Sequence, residues 1–180
     1  MIRVVLALLL AGPVAAQELL EAYPPLMGEV SALLDMQELR WQTYDFSIGA
    51  FDASAWATDD AGPVTLRIMG YQPGKPDRME QRIWIKASFA GMPAPKSKAV
   101  EALVEVIAGA DTEGARLTSM GQNAVVTIMA VKRAGDETYG QMAGKFSARL
   151  CWKPDAEQPV TDRCQTIAGD FDTSVQFENM

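Results

Sequence analysis

The sequence predicts a mainly β domain with one or two helices, its antiparallel sheet curled into a sandwich or partial barrel. Three observations carry that expectation. Apolar and polar residues alternate with a period of two through most of the chain. Clusters of Pro, Gly and Asp punctuate these runs, as at Gln72-Pro-Gly-Lys-Pro and Ala134-Gly-Asp-Glu. Six or seven such runs occur, neighbours in sequence joined by turns, which implies antiparallel pairing.

The clearest pair of runs closes the chain. Phe146, Ala148, Leu150 and Trp152 alternate with Ser147, Arg149 and Cys151. Farther on, Ile167, Gly169 and Phe171 share one face, with Cys164, Thr166, Ala168 and Asp170 on the other. Each run carries its cysteine on the more polar face, and the chain has no third cysteine. A structural disulfide Cys151–Cys164 within one hairpin follows, closing a loop of about fourteen residues. The segment Gly144-Lys-Phe-Ser-Ala-Arg-Leu resembles the late G-x-F-x-x-x-L strand of many small exported β proteins.

Upstream, residues 1–16 read as a signal peptide: Arg3, then apolar Val4–Ala11, then small Val14-Ala-Ala before a cleavage point. Removing sixteen from 180 residues leaves 164, enough for a single domain over residues 17–180. Glu18–Arg40 reads as partly helical, with Leu26, Val30, Leu33 and Leu34 at helical spacing after Pro24-Pro25. Tyr44–Ala50 alternates as a strand, and Thr58-Asp-Asp-Ala-Gly-Pro as a turn. Val64–Ile68 and Ile83–Phe89 pair as a hairpin with a long tip. Ser97–Ala108 fits two periods. Val100, Leu103, Val104 and Ile107 cluster on a helical wheel with Ser97 as cap, while Val100, Ala102, Val104 and Val106 also alternate. The helix is the expectation, with Glu101 and Glu105 facing water. Strand character returns at Ala115–Thr118 and Val125–Lys132.

The composition excludes more functions than it suggests. The chain has no histidine, hence no Ser-His-Asp or Cys-His arrangement and none of the commonest transition-metal ligands. Gly-rich phosphate loops, the G-x-S-x-G elbow and the dinucleotide fingerprint are absent. Without Arg3, 15 basic residues face 23 acidic ones, which argues against nucleic acid and anionic membrane surfaces. The later apolar runs are too short to span a bilayer. Met27, Met36, Met69, Met79, Met92, Met120, Met129 and Met142 are dispersed and read as gap-filling rather than as a copper site. No cofactor, metal ligand or catalytic residue is assigned.

Two features remain as functional candidates. Trp84 falls opposite Ile83 and Ile85, so it is either an exposed anchor for a protein partner or a sugar ring, or a residue of a strand covered on both faces. Asp170 and Asp172 share a strand face, and Asp59 and Asp60 a loop; paired carboxylates serve hydrolysis or keep a wet face soluble. The expected function is that of an exported, periplasmic or extracellular, non-catalytic binding domain for a protein or a small apolar or sugar ligand. A carboxylate-based hydrolase is the alternative, and a small outer-membrane barrel the third. A closed apolar cavity would favour a small ligand, a carboxylate pair in a cleft an enzyme, and a flat face bearing Trp84 a protein partner.

Overall fold

The computed structural model describes residues 24–46, 53–59, 63–110, 114–133 and 138–178. Ten strands form one sheet: β1 Leu26–Leu34, β2 Gln37–Tyr44, β3 Ala55–Asp59, β4 Val64–Gly70, β5 Arg82–Phe89, β6 Glu101–Ile107, β7 Arg116–Thr118, β8 Ala124–Lys132, β9 Tyr139–Lys153 and β10 Cys164–Phe177. Its order is β2-β1-β10-β3-β4-β5-β6-β7-β9-β8, and β9 also pairs with β10. That last pairing closes a ring of seven strands: β10, β3, β4, β5, β6, β7 and β9.

The β9–β10 hairpin is the seam of the ring. Thirteen consecutive partners run from Cys164↔Cys151 to Gln176↔Tyr139. These two strands are long enough to serve two neighbours each. The outer edge of β10 takes β1 along Ile167–Thr173 and then β3 at Gln176–Phe177. The outer edge of β9 takes β8 and then β7. Inward-facing Phe146, Leu150, Ile167 and Phe171 are all buried, as the alternation predicts. Gly144 leaves room for the ring of Phe171, which a Cβ there would strike.

Both open edges are partly covered, which limits edge-to-edge association. At β2, Gln42 bridges to Tyr71. At β8, Ala99 N–H donates to Val126 O and Ile128 N–H to Ser97 O, each at 2.9 Å. The interior is a continuous apolar core drawing on nine strands, with Leu117 of β7 packed against it. The disulfide Cys151–Cys164 joins directly opposed partners of the hairpin.

Four sequence expectations are corrected. Ser97–Ala108 is not a helix but a lead-in followed by β6. Ala102, Val104 and Val106 face inward opposite Ala87, Ile85 and Ile83. Val100, assigned to the docked face of the helix, is 65% exposed, and Glu105 is buried against Arg116, Nε to Oε1 3.1 Å. Both periods fitted this stretch, and the flanking strands decided between them. The segment 24–40 is likewise a β-hairpin rather than partly helical, and no described residue is helical. Thr58 and Asp59 belong to β3 rather than to a turn. The sheet is mixed, because β10 pairs with β3 in parallel. The signal segment, residues 47–52 and Asp60 lie outside the described residues.

Candidate ligand-binding site

One end of the ring is open, and a row of inward side chains lies across it. Strand pairing places Gly70, Ile83, Val106, Leu117 and Trp152 side by side on β4, β5, β6, β7 and β9. Trp41 of β2 packs over Gly70, where a Cβ would come within 2.7 Å of both Trp41 and Ile83. The Trp41 indole N–H donates to Gln81 O at 2.8 Å, which fixes the ring. Ile83 is fully buried, whereas Val106, Leu117 and Trp152 remain half-exposed at the rim.

The β1–β2 turn stands over this floor. Asp35 and Met36 both have positive φ, 43° and 75°. Two such residues make the tight turn whose twist suits a hairpin, normally built from Asn and Gly. Asp35 is tied to β10 in both directions: its N–H donates to Thr166 O at 3.0 Å, and its Oδ1 accepts from Thr166 N–H at 2.9 Å. Met36, at positive φ, is 91% exposed. A hollow of about 530 Å³ opens on the side of Asp35, floored by Leu117 and Trp152 and rimmed by Arg163 and Gln165. A second hollow, about 410 Å³, opens on the side of Gln37. Leu39, Trp41, Val106 and Ile107 supply its apolar wall; Gln37, Gln72, Gln81, Arg40 and Lys75 supply its rim, with no carboxylate among the described lining residues. The loop at its far side is held by Gly74 N–H, which donates to Gln42 Oε1 at 2.8 Å. Arg40 is paired with Glu38, whose carboxylate holds the guanidinium above its ordinary value.

A third hollow, about 440 Å³, lies on the outer face where β10, β3 and β4 meet. Phe46, Trp56 and Tyr71 line it with Met69, Ser54, Gln176 and Glu178. Phe46 and Tyr71 meet edge-on at 5.4 Å between ring centres. Burial raises the Tyr71 phenol above 10.0, an effect the nearby Arg82 guanidinium opposes.

The residues singled out from sequence sit elsewhere. Trp84 faces outward on β5 between Met69 and Glu105, half-buried, and lines neither the open end nor the aromatic hollow. Its indole N–H is buried with no acceptor among the described residues. Asp170 and Asp172 lie exposed on the outward face of β10, where Ser31 Oγ donates to Asp170 and Gln141 Nε2 to Asp172. Asp170 borders a hollow of about 220 Å³ that Ser31 and Glu38 also line, whereas Asp172 is not among its described lining residues. Among the described residues no group of three His, Cys, Asp or Glu is arranged to hold a metal, and no helix is long and apolar enough to cross a membrane. Sequence reasoning missed Leu39, Val106 and Gln176, which gain meaning from pairings between strands distant in the chain. No protein-family model, curated protein or solved structure matches this chain.

Proposed function

We propose that this protein is an exported, non-catalytic binding domain that holds a small, largely apolar ligand at the open end of its barrel. The observation that carries the reading is the hollow of about 410 Å³ bounded by Leu39, Trp41 and Val106. It lies within the size range of small-molecule sites, and it combines an apolar wall with a few convergent amides, the usual make-up of such sites. Gln37, Gln72 and Gln81 can donate and accept, so they can orient a polar end without demanding a charge. The barrel is otherwise filled by its own side chains, so the ligand sits in the mouth and not along the axis.

Export rests on the N-terminal segment together with the disulfide, since such bonds persist in oxidising compartments. A transmembrane barrel fits poorly. The outward positions of β9 and β10 carry Lys145, Arg149, Asp170 and Asp172, where lipid would require an apolar band. Native mass spectrometry of the protein purified from its own cell envelope tests the reading. A retained small-molecule mass, removable by organic extraction, is expected; protein that is bare when gently isolated contradicts it.

A further inference from the structure

The aromatic hollow on the outer face has a feature the open end lacks. Gln176 is 4% exposed and lines the hollow, yet its side-chain amide makes no hydrogen bond among the described residues. The amide atoms are not closed off from solvent, so the hydrogen-bonding capacity that the described residues leave unused is open to the hollow. Its position is imposed by the fold. Inward-facing Val175 and Phe177 anchor the end of β10 in the core, which turns Gln176 outward beside its parallel partner Trp56. The amide therefore stands at the floor of a hollow walled by Trp56, Tyr71 and Phe46, with the Glu178 residue at its side.

We infer that this hollow is a second binding site, and that it takes a saccharide. The three kinds of group present match the three parts of a pyranose. An aromatic face suits the apolar C–H face of the ring. The amide offers two donors and an acceptor, the complement of a pair of adjacent hydroxyls, each of which both donates and accepts. A carboxylate at Glu178 accepts from a further hydroxyl, a charge-assisted bond stronger than a neutral one. An organic cation would use the aromatic walls and the carboxylate but would leave the amide carbonyl and its two N–H donors unmatched. A purely apolar ligand would bury the amide unpaired, at a cost. The site is separate from the one proposed at the open end: the two share no lining residue.

Saturation-transfer NMR on the full protein tests this, with glucose, galactose, mannose, N-acetylglucosamine and their common disaccharides as probes and tetramethylammonium as the cationic control. At least one saccharide should show transfer, and Gln176→Leu and Trp56→Ala should each weaken its binding by roughly tenfold or more. Gln176→Leu breaks no side-chain hydrogen bond among the described residues, so its melting temperature should stay close to the wild-type value, which separates lost binding from lost folding. Glu178→Gln should weaken binding less. The inference is overturned if no saccharide shows transfer, if Gln176→Leu binds as the wild type does, or if tetramethylammonium alone binds. Val106→Arg, at the open end, should leave saccharide binding unchanged.

Discussion

The two hairpins that frame the barrel turn at the same end but are built differently. The β9–β10 hairpin pairs over thirteen residues, carries the disulfide, and has a neighbour along each outer edge. The β1–β2 hairpin is shorter, ends in a turn with two non-glycine residues at positive φ, and leaves Met36 bare. Its body is secured, by Val30 and Ala32 in the core and Asp35 on Thr166, while its tip stands beside the hollows at the open end. The disulfide-closed end and the exposed turn thus meet at one end of the barrel, where Asp35 and Cys164 line the same hollow, an arrangement in which a rigid scaffold holds a more exposed loop in place.

The largest losses are expected in the β9–β10 scaffold and the strands around it. Phe171→Ala removes a buried ring that packs over Gly144, and should cost about 3–5 kcal/mol in chemical denaturation. Glu105→Ala removes one partner of the buried Arg116 guanidinium, which keeps its bond to Gly114 O, and should cost less, about 1.5–3 kcal/mol. A loss under 1 kcal/mol at either position would show that this part of the sheet is not the rigid half. Replacing Cys151 and Cys164 together by Ser should cost about 3 kcal/mol, from loop closure alone, while leaving binding by the folded fraction intact.

The tip should respond with the opposite sign. Met36→Gly relieves a residue at φ 75° and should stabilise the fold by about 1 kcal/mol. Destabilisation there would mean that the Met36 side chain holds the turn despite its exposure. The smallest effect is electrostatic. The Tyr71 phenol is raised in the folded state, so its contribution to stability is fully present below its ordinary value of 10.0 and is lost as pH rises through the folded value. Tyr71→Phe should flatten that alkaline decline, and unchanged pH dependence would count against the buried environment of the ring.

Legibility from sequence follows the same division. The closing hairpin could be read because alternation, two cysteines and a loop agree on one register, and that register holds at Phe146, Leu150, Ile167 and Phe171. The β1–β2 hairpin could not. Its turn uses Asp35-Met36 instead of Asn-Gly, so no turn signal interrupts the apparent helical spacing of Leu26, Val30, Leu33 and Leu34. β6 was read with the wrong period because its valines satisfy both, and the buried place of Glu105 depends on Arg116 on the next strand. The hollows were invisible for a related reason. Val106 meets Leu117 and Trp41 meets Gly70 only after the ring closes, and Gln176 meets Trp56 through a parallel pairing between distant segments. Trp84 and the Asp170–Asp172 pair were conspicuous in sequence by residue type, yet neither borders the open end.

The proposed small-molecule ligand would sit at the open end and not on another surface. The most direct test is rebinding of the molecule extracted from the native protein to delipidated wild type, to Val106→Arg and to Trp56→Ala, each first shown to melt cooperatively. Val106→Arg places a charged, bulky side chain in the apolar wall under the β1–β2 turn, whereas Trp56 lies on the outer face. The predicted result is binding to wild type and to Trp56→Ala with loss in Val106→Arg. Equal binding by wild type and Val106→Arg would contradict the account.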